Sequence, residues 1–121
     1  MNDTEMHEQI YNFLVNVASR RDCTTYAELA RMAGFDESQA GGHAKLDAIL
    51  AEISTFEHQH GRPLLSAVVL CDDANKTHLG IFALARELGL NHDDDVEFFI
   101  QELRRVHKYW FSASQAAPNT R

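Results

Sequence analysis

Met6, Ile10, Phe13, Leu14 and Val17 recur at intervals of three and four, the spacing that gathers side chains on one helical face. Asp3 or Thr4 can cap the start of this helix, and Glu5 and Glu8 suit the positive end of its dipole. A first helix from Thr4 to Ser19 follows. After the polar link Arg20-Arg21-Asp22, Thr25 and Glu28 stand at the N-cap and N3 positions of a capping box, and Gly34 supplies a left-handed stop. They bound a short second helix from Tyr26 to Ala33. Phe35 to Gly42 is small and polar, and from His43 onward Leu46, Ile49, Leu50, Ile53 and Phe56 restore the helical period until Gly61.

Pro63 ends that third helix, and Leu64 to Cys71, rich in Leu and Val without helical polar spacing, reads as a buried strand. Asp72 to Thr77 is expected to be its turn or wing tip. Leu79 to Phe82 fits either a returning strand or the opening of a helix, and Ala83 to Leu88 reads as helical with Gly89 as its stop. The preferred arrangement is a stunted wing and a short helix. Asp93, Asp94 and Asp95 then precede Val96, Phe99, Ile100, Leu103, Val106 and Trp110, a final helix with acids at its start and Arg104, Arg105 and Lys108 near its end. Residues 112–121 carry no apolar pattern and are expected to form a flexible tail on a single domain of residues 1–111. The fold expected is mainly α, α+β and winged-helix-like: a helix-turn-helix plus a short β-hairpin, with packing helices at both ends.

At 121 residues, 45% hydrophobic and 24% charged, the chain suits one globular domain. No apolar run approaches the roughly 20 residues of a membrane span, and MNDTEMHEQI is acidic where a signal peptide is basic. The expected location is therefore cytoplasmic, away from membranes. Cys23 and Cys71 are expected as free thiols, since neither an exported context nor four clustered zinc ligands is present. The net charge of −7 opposes duplex binding, which draws its affinity from Lys and Arg on phosphates.

Thr24-Thr25-Tyr26-Ala27-Glu28-Leu29-Ala30 resembles the TTYGEIA-type helix opening in the DNA-binding domain of alkylguanine-DNA alkyltransferases and alkyltransferase-like proteins. The resemblance covers roughly residues 24–90, with Thr25, Tyr26, Glu28, Ala30 and Pro63 as its specific matches. It implies a winged helix that contacts DNA. The family's reactive Cys and the His and Arg after it fall at Leu64, Leu65 and Ser66, so alkyl transfer does not carry over. Nor does base flipping, because Gly41-Gly42-His43-Ala44-Lys45 lacks the arginine that enters the base stack. GRPLLSAVV and ELRRVHKYW also resemble segments of small bacterial proteins of unassigned function.

Two binding readings result. In the first, a non-enzymatic winged-helix module meets nucleic acid through Tyr26, Ser38, Gln39, His43 and Lys45, at the entrance of the third helix. Arg104, Arg105 and Lys108, with Tyr109, Trp110 and Phe111, form the one basic-aromatic cluster, a candidate phosphate or partner contact. The second reading is an acidic protein-interaction domain, immunity- or antitoxin-like or a homodimeric adaptor, that meets a basic protein partner. Projection of Asp47, Glu52 and Glu57 from an exposed helix face would favour it. No cofactor or metal is expected: His58 and His60 point apart on a helix, and Asp93 to Asp95 lack the spacing of a calcium loop. No enzyme motif occurs, and a hydrolase would need two or more of the scattered His and carboxylate groups gathered in one cleft.

Overall fold

Ile10, Leu14, Val17 and Ala18 are the buried face of the first helix, α1 (Asp3–Ser19), as its apolar spacing requires. In the computed structural model, which describes residues 3–34, 42–70, 79–90 and 92–116, seven further elements follow. They are β1 (Thr24–Thr25), α2 (Tyr26–Ala33), α3 (Gly42–Gln59), a 3₁₀ turn (Leu65–Val68), β2 (Val69–Leu70), α4 (Leu79–Glu87) and α5 (Asp95–Ala116). The molecule is mainly helical, with α1 packed along α5.

The start of α2 forms half of the expected capping box. Thr25 Oγ1 accepts a hydrogen bond from the Glu28 backbone N–H at 3.1 Å, while the Glu28 carboxylate accepts from Thr24 Oγ1 instead of reaching back to the cap. Gly34, at φ 84°, ends the helix in the left-handed region that favours glycine. Thr25→Ala is expected to cost about 1 kcal/mol. Thermal denaturation followed by circular dichroism would show this as a Tm lowered by roughly 4 °C.

Two expectations for α3 need correction. Phe56, read as part of its apolar stripe, is 46% exposed, and Glu57, read as a candidate for its exposed face, is fully buried. Leu46, Ile49, Ile53 and Glu57 follow one inward line at steps of three and four, and Phe56 lies one residue off it. The charge is met locally. Gly61, at φ 75°, reverses the chain at the helix end, and Arg62 N bonds to Glu57 O at 2.9 Å. The reversal turns the Arg62 guanidinium back onto the Glu57 carboxylate, with Nε to Oε1 at 3.0 Å and Nη2 to Oε2 at 2.9 Å.

The segment read as a strand from Leu64 is mostly a 3₁₀ turn, and among its described residues only Val69 and Leu70 form a strand. Leu64, Leu65, Ala67 and Val68 are all fully buried, with α1, α3 and α5 packed around the turn. A strand here would need a ladder partner along its length, whereas the turn satisfies its backbone nearby. Ala67 N bonds to Leu64 O at 3.1 Å, Leu64 N to Glu102 Oε2 at 2.7 Å, and Ser66 N to Ser54 Oγ at 3.1 Å. β2 pairs parallel with β1, Thr24 opposite Val69 and Thr25 opposite Leu70.

The described residues contain no β-hairpin. Leu79 to Phe82, open between strand and helix, is the start of α4, while the expected wing tip and Cys71 lie outside the described residues. At the head of α5, Asp94 Oδ1 accepts from Glu97 N at 3.1 Å, a helix cap. This helix continues to Ala116, so the first five residues of the expected tail, 112–116, are helical. Among the described residues no helix is long and apolar enough to cross a membrane.

Candidate functional site

Among the described residues, two surface grooves each collect chemistry the sequence scatters. The first runs between α1 and α3. Thr4, His7, Glu8 and Tyr11 line one side, and Glu52, Ile53 and Phe56 the other, around a volume of about 540 Å³. Tyr11 and Phe56 meet edge to face at 6.4 Å between ring centroids. Below them, the Tyr11 hydroxyl donates to Glu57 Oε2 at 3.2 Å. Burial, and then the Glu57 carboxylate, push the Tyr11 phenol above its ordinary pKa. Hydrogen bonding to that carboxylate likewise raises the pKa of Arg62. These groups therefore form a fixed, fully bonded floor.

The rim is acidic. Glu8 is exposed, and the Glu52 side chain, 68% exposed, stands 3.7 Å from His7 Nε2. This groove does gather a histidine with two carboxylates. Both partners of the His7–Glu52 pair are open to water, which weakens their mutual polarisation, and among the described residues His7 makes no hydrogen bond to a hydroxyl or thiol that it could activate. Two other buried polar side chains are occupied structurally, Ser54 with Ser66 at 2.7 Å and Glu102 with Leu64 N and Arg105, while the buried Trp110 Nε1 has no hydrogen-bond partner among the described residues. No group of three His, Cys, Asp or Glu side chains among the described residues is arranged to hold a metal ion.

The second groove, of about 610 Å³, runs beside α5 and is lined by Gly61, Pro63, Arg105, Lys108, Tyr109, Ser112 and Ala113. It brings together two of the expected site residues, Arg105 and Lys108. Arg105 is already engaged, with Nη1 donating to Glu102 Oε1 at 2.6 Å. Lys108 is exposed and has no ion pair among the described residues. Arg104 is also exposed on α5 but does not line this groove.

The other expected contacts are less concentrated. The Tyr26 hydroxyl donates to Asp47 Oδ1 at 2.9 Å, which ties α2 to α3. Lys45 is exposed at the start of α3, His43 is placed there by its backbone, and Ser38 and Gln39 lie outside the described residues. Asp47 and Glu52 do project from α3, whereas Glu57 does not.

No protein-family model, curated protein or solved structure matches this chain. The geometry alone therefore bears on function. Cys23 is a free thiol, pushed up in pKa by burial and by Asp22, the opposite of an activated nucleophile. His107 Nε2 meets the Asp22 carbonyl at 2.8 Å, and the Arg21 guanidinium lies 3.7 Å over the Phe111 ring. Both contacts fasten the α1–β1 link to α5. His92 and Arg86 similarly meet Asp95, at 2.6 and 2.8 Å, and clasp α4 to α5. Neither cluster opens into the two grooves.

Of the residues in the first groove, Glu52 is expected from the sequence as an acid on an exposed face of the third helix, whereas His7, Glu8 and Tyr11 are not among the expected site residues. Their signal was weak: ordinary polar positions on one helix, adjacent to Glu52 only after packing.

Proposed function

We propose that this chain is a non-enzymatic, winged-helix-like binding module whose partner is a protein segment carrying Lys or Arg beside apolar side chains. The segment docks in the α1–α3 groove. The observation that carries this reading is the acidic rim of Glu8 and Glu52 beside the aromatic rings of Tyr11 and Phe56, of which Phe56 is 46% exposed. A solvent-exposed aromatic in a concave site can anchor a partner, and opposite charge at the rim steers it. The net charge of −7 acts in the same direction over longer range.

The order of α1, β1, α2, α3 and β2 supports the winged-helix comparison. Contact with duplex DNA is the less favoured form of it. The helix that would enter a groove exposes Asp47 and Glu52 with Lys45, and Asp47 holds the Tyr26 hydroxyl. Carboxylates at that position repel phosphates.

The test is fluorescence anisotropy with two labelled probes at low salt: an amphipathic Leu/Lys peptide and a duplex of arbitrary sequence. The peptide is expected to bind, and Phe56→Ala or Glu52→Lys to weaken it by about tenfold or more, a change of about 1.4 kcal/mol. Salt-sensitive binding of the duplex with no binding of the peptide would overturn the protein-partner reading.

A further inference from the structure

The two grooves adjoin, and their charges are opposite. Arg62 separates them: its guanidinium lies 5.5 Å over the Phe56 ring of the first groove. Its chain neighbours Gly61 and Pro63 line the second. Tyr109 lines the second groove together with Gly61 and Pro63. Phe56, 46% exposed, and Tyr109, 40% exposed, therefore flank one seam. Glu52 and Glu8 lie on one side of it, and Lys108 and Arg105 on the other.

We infer that a second copy of this chain fills the α1–α3 groove, in a two-fold pair in which Lys108 and Tyr109 of each protomer seat against Glu52 and Phe56 of the other. This rests on the reading of that groove as a site for a basic, partly apolar segment. The second groove presents such a surface on the same chain. A two-fold axis through the Arg62 seam lays acidic groove on basic groove twice. Once the first contact forms, the second is intramolecular and adds affinity without a new encounter.

The local charge pattern can outweigh the overall repulsion of two acidic chains. At physiological salt, exposed charges farther apart than about 8 Å are largely screened, so the facing pairs at the seam decide. Lys108 is the cation available for this, since Arg105 is engaged by Glu102 within the chain. The exposed Phe56 and Tyr109 rings supply apolar area between the two charge pairs.

Sedimentation velocity tests the pairing with variants at exposed positions. The wild-type chain is expected to sediment at twice the chain mass. Glu52→Lys alone and Lys108→Glu alone are each expected to weaken the pair by about tenfold or more, because each sets like charges opposite one another at both contacts. Mixing these two variants restores opposite charges at both contacts, as does combining them in one chain, and dimer mass is expected to return in both cases. Single variants that pair like the wild type, or a mixture that stays monomeric, would overturn the inference. So would a wild-type monomer at about 100 μM, a concentration that reveals even weak pairs. If that monomer still binds the Leu/Lys peptide, self-pairing fails and the groove reading stands; if it binds no peptide, both fail.

Discussion

Arg62→Ala is expected to destabilise the fold by about 3–5 kcal/mol, the cost of leaving a buried charge without its partner. Glu57 is fully buried, and its two oxygens receive both Arg62 bonds and the Tyr11 hydroxyl. Without the guanidinium, the carboxylate must remain charged in an apolar site, take up a proton, or draw water into the base of α3. Each route costs free energy that the native pair avoids. Replacing both partners removes the charge with its counterion, so a Glu57→Met/Arg62→Met variant is expected to recover most of the loss. Urea denaturation of the three proteins measures this. A stability for Arg62→Ala within about 0.5 kcal/mol of the wild type, the range of an ordinary surface change, would mean that the ion pair is not holding the chain reversal.

Leu65→Ala should cost a comparable amount, about 2–5 kcal/mol. Leu65 is fully buried in the 3₁₀ turn, with α1, α3 and α5 packed around that turn. Removal of its side chain leaves a void that three helices cannot close together, and incomplete closure is what raises the cavity cost. The Tm is expected to fall by roughly 10 °C or more. A loss below about 1 kcal/mol would show that the helices can collapse onto the smaller side chain.

Both predictions concern the GRPLLSAVV segment. Its polar groups turn out to be internal fastenings: Arg62 to Glu57, the Leu64 N–H to Glu102, and Ser66 to Ser54. The same segment separates the two grooves. Its architecture links stability to the interaction surface, since Arg62 both neutralises Glu57 and lies over the exposed Phe56 ring.

The helices were legible because their signals are local. A stripe at steps of three and four locates α1, and Thr25 and Gly34 mark the two ends of α2 at Tyr26 and Ala33. The acids before α5 also act locally, through the Asp94 cap. None of these needs a distant partner, so the order and approximate length of the helices follow from residues within a few positions of one another.

The grooves and the buried polar bonds required contacts between distant residues. Tyr11 meets Glu57 across 46 positions, Leu64 meets Glu102 across 38, and His107 meets Asp22 across 85. A helical pattern assigns Glu57 to the polar class and Phe56 to the apolar class; the chain reversal at Gly61 and the packing around the 3₁₀ turn reverse their exposure. The sequence by itself therefore determined the order of the helices and the two ends of α2, whose energies are set by short-range backbone geometry. Only the tertiary structure decided which carboxylate is buried, which aromatic ring is open and which charges share a groove, because burial and pairing depend on what the rest of the chain brings alongside.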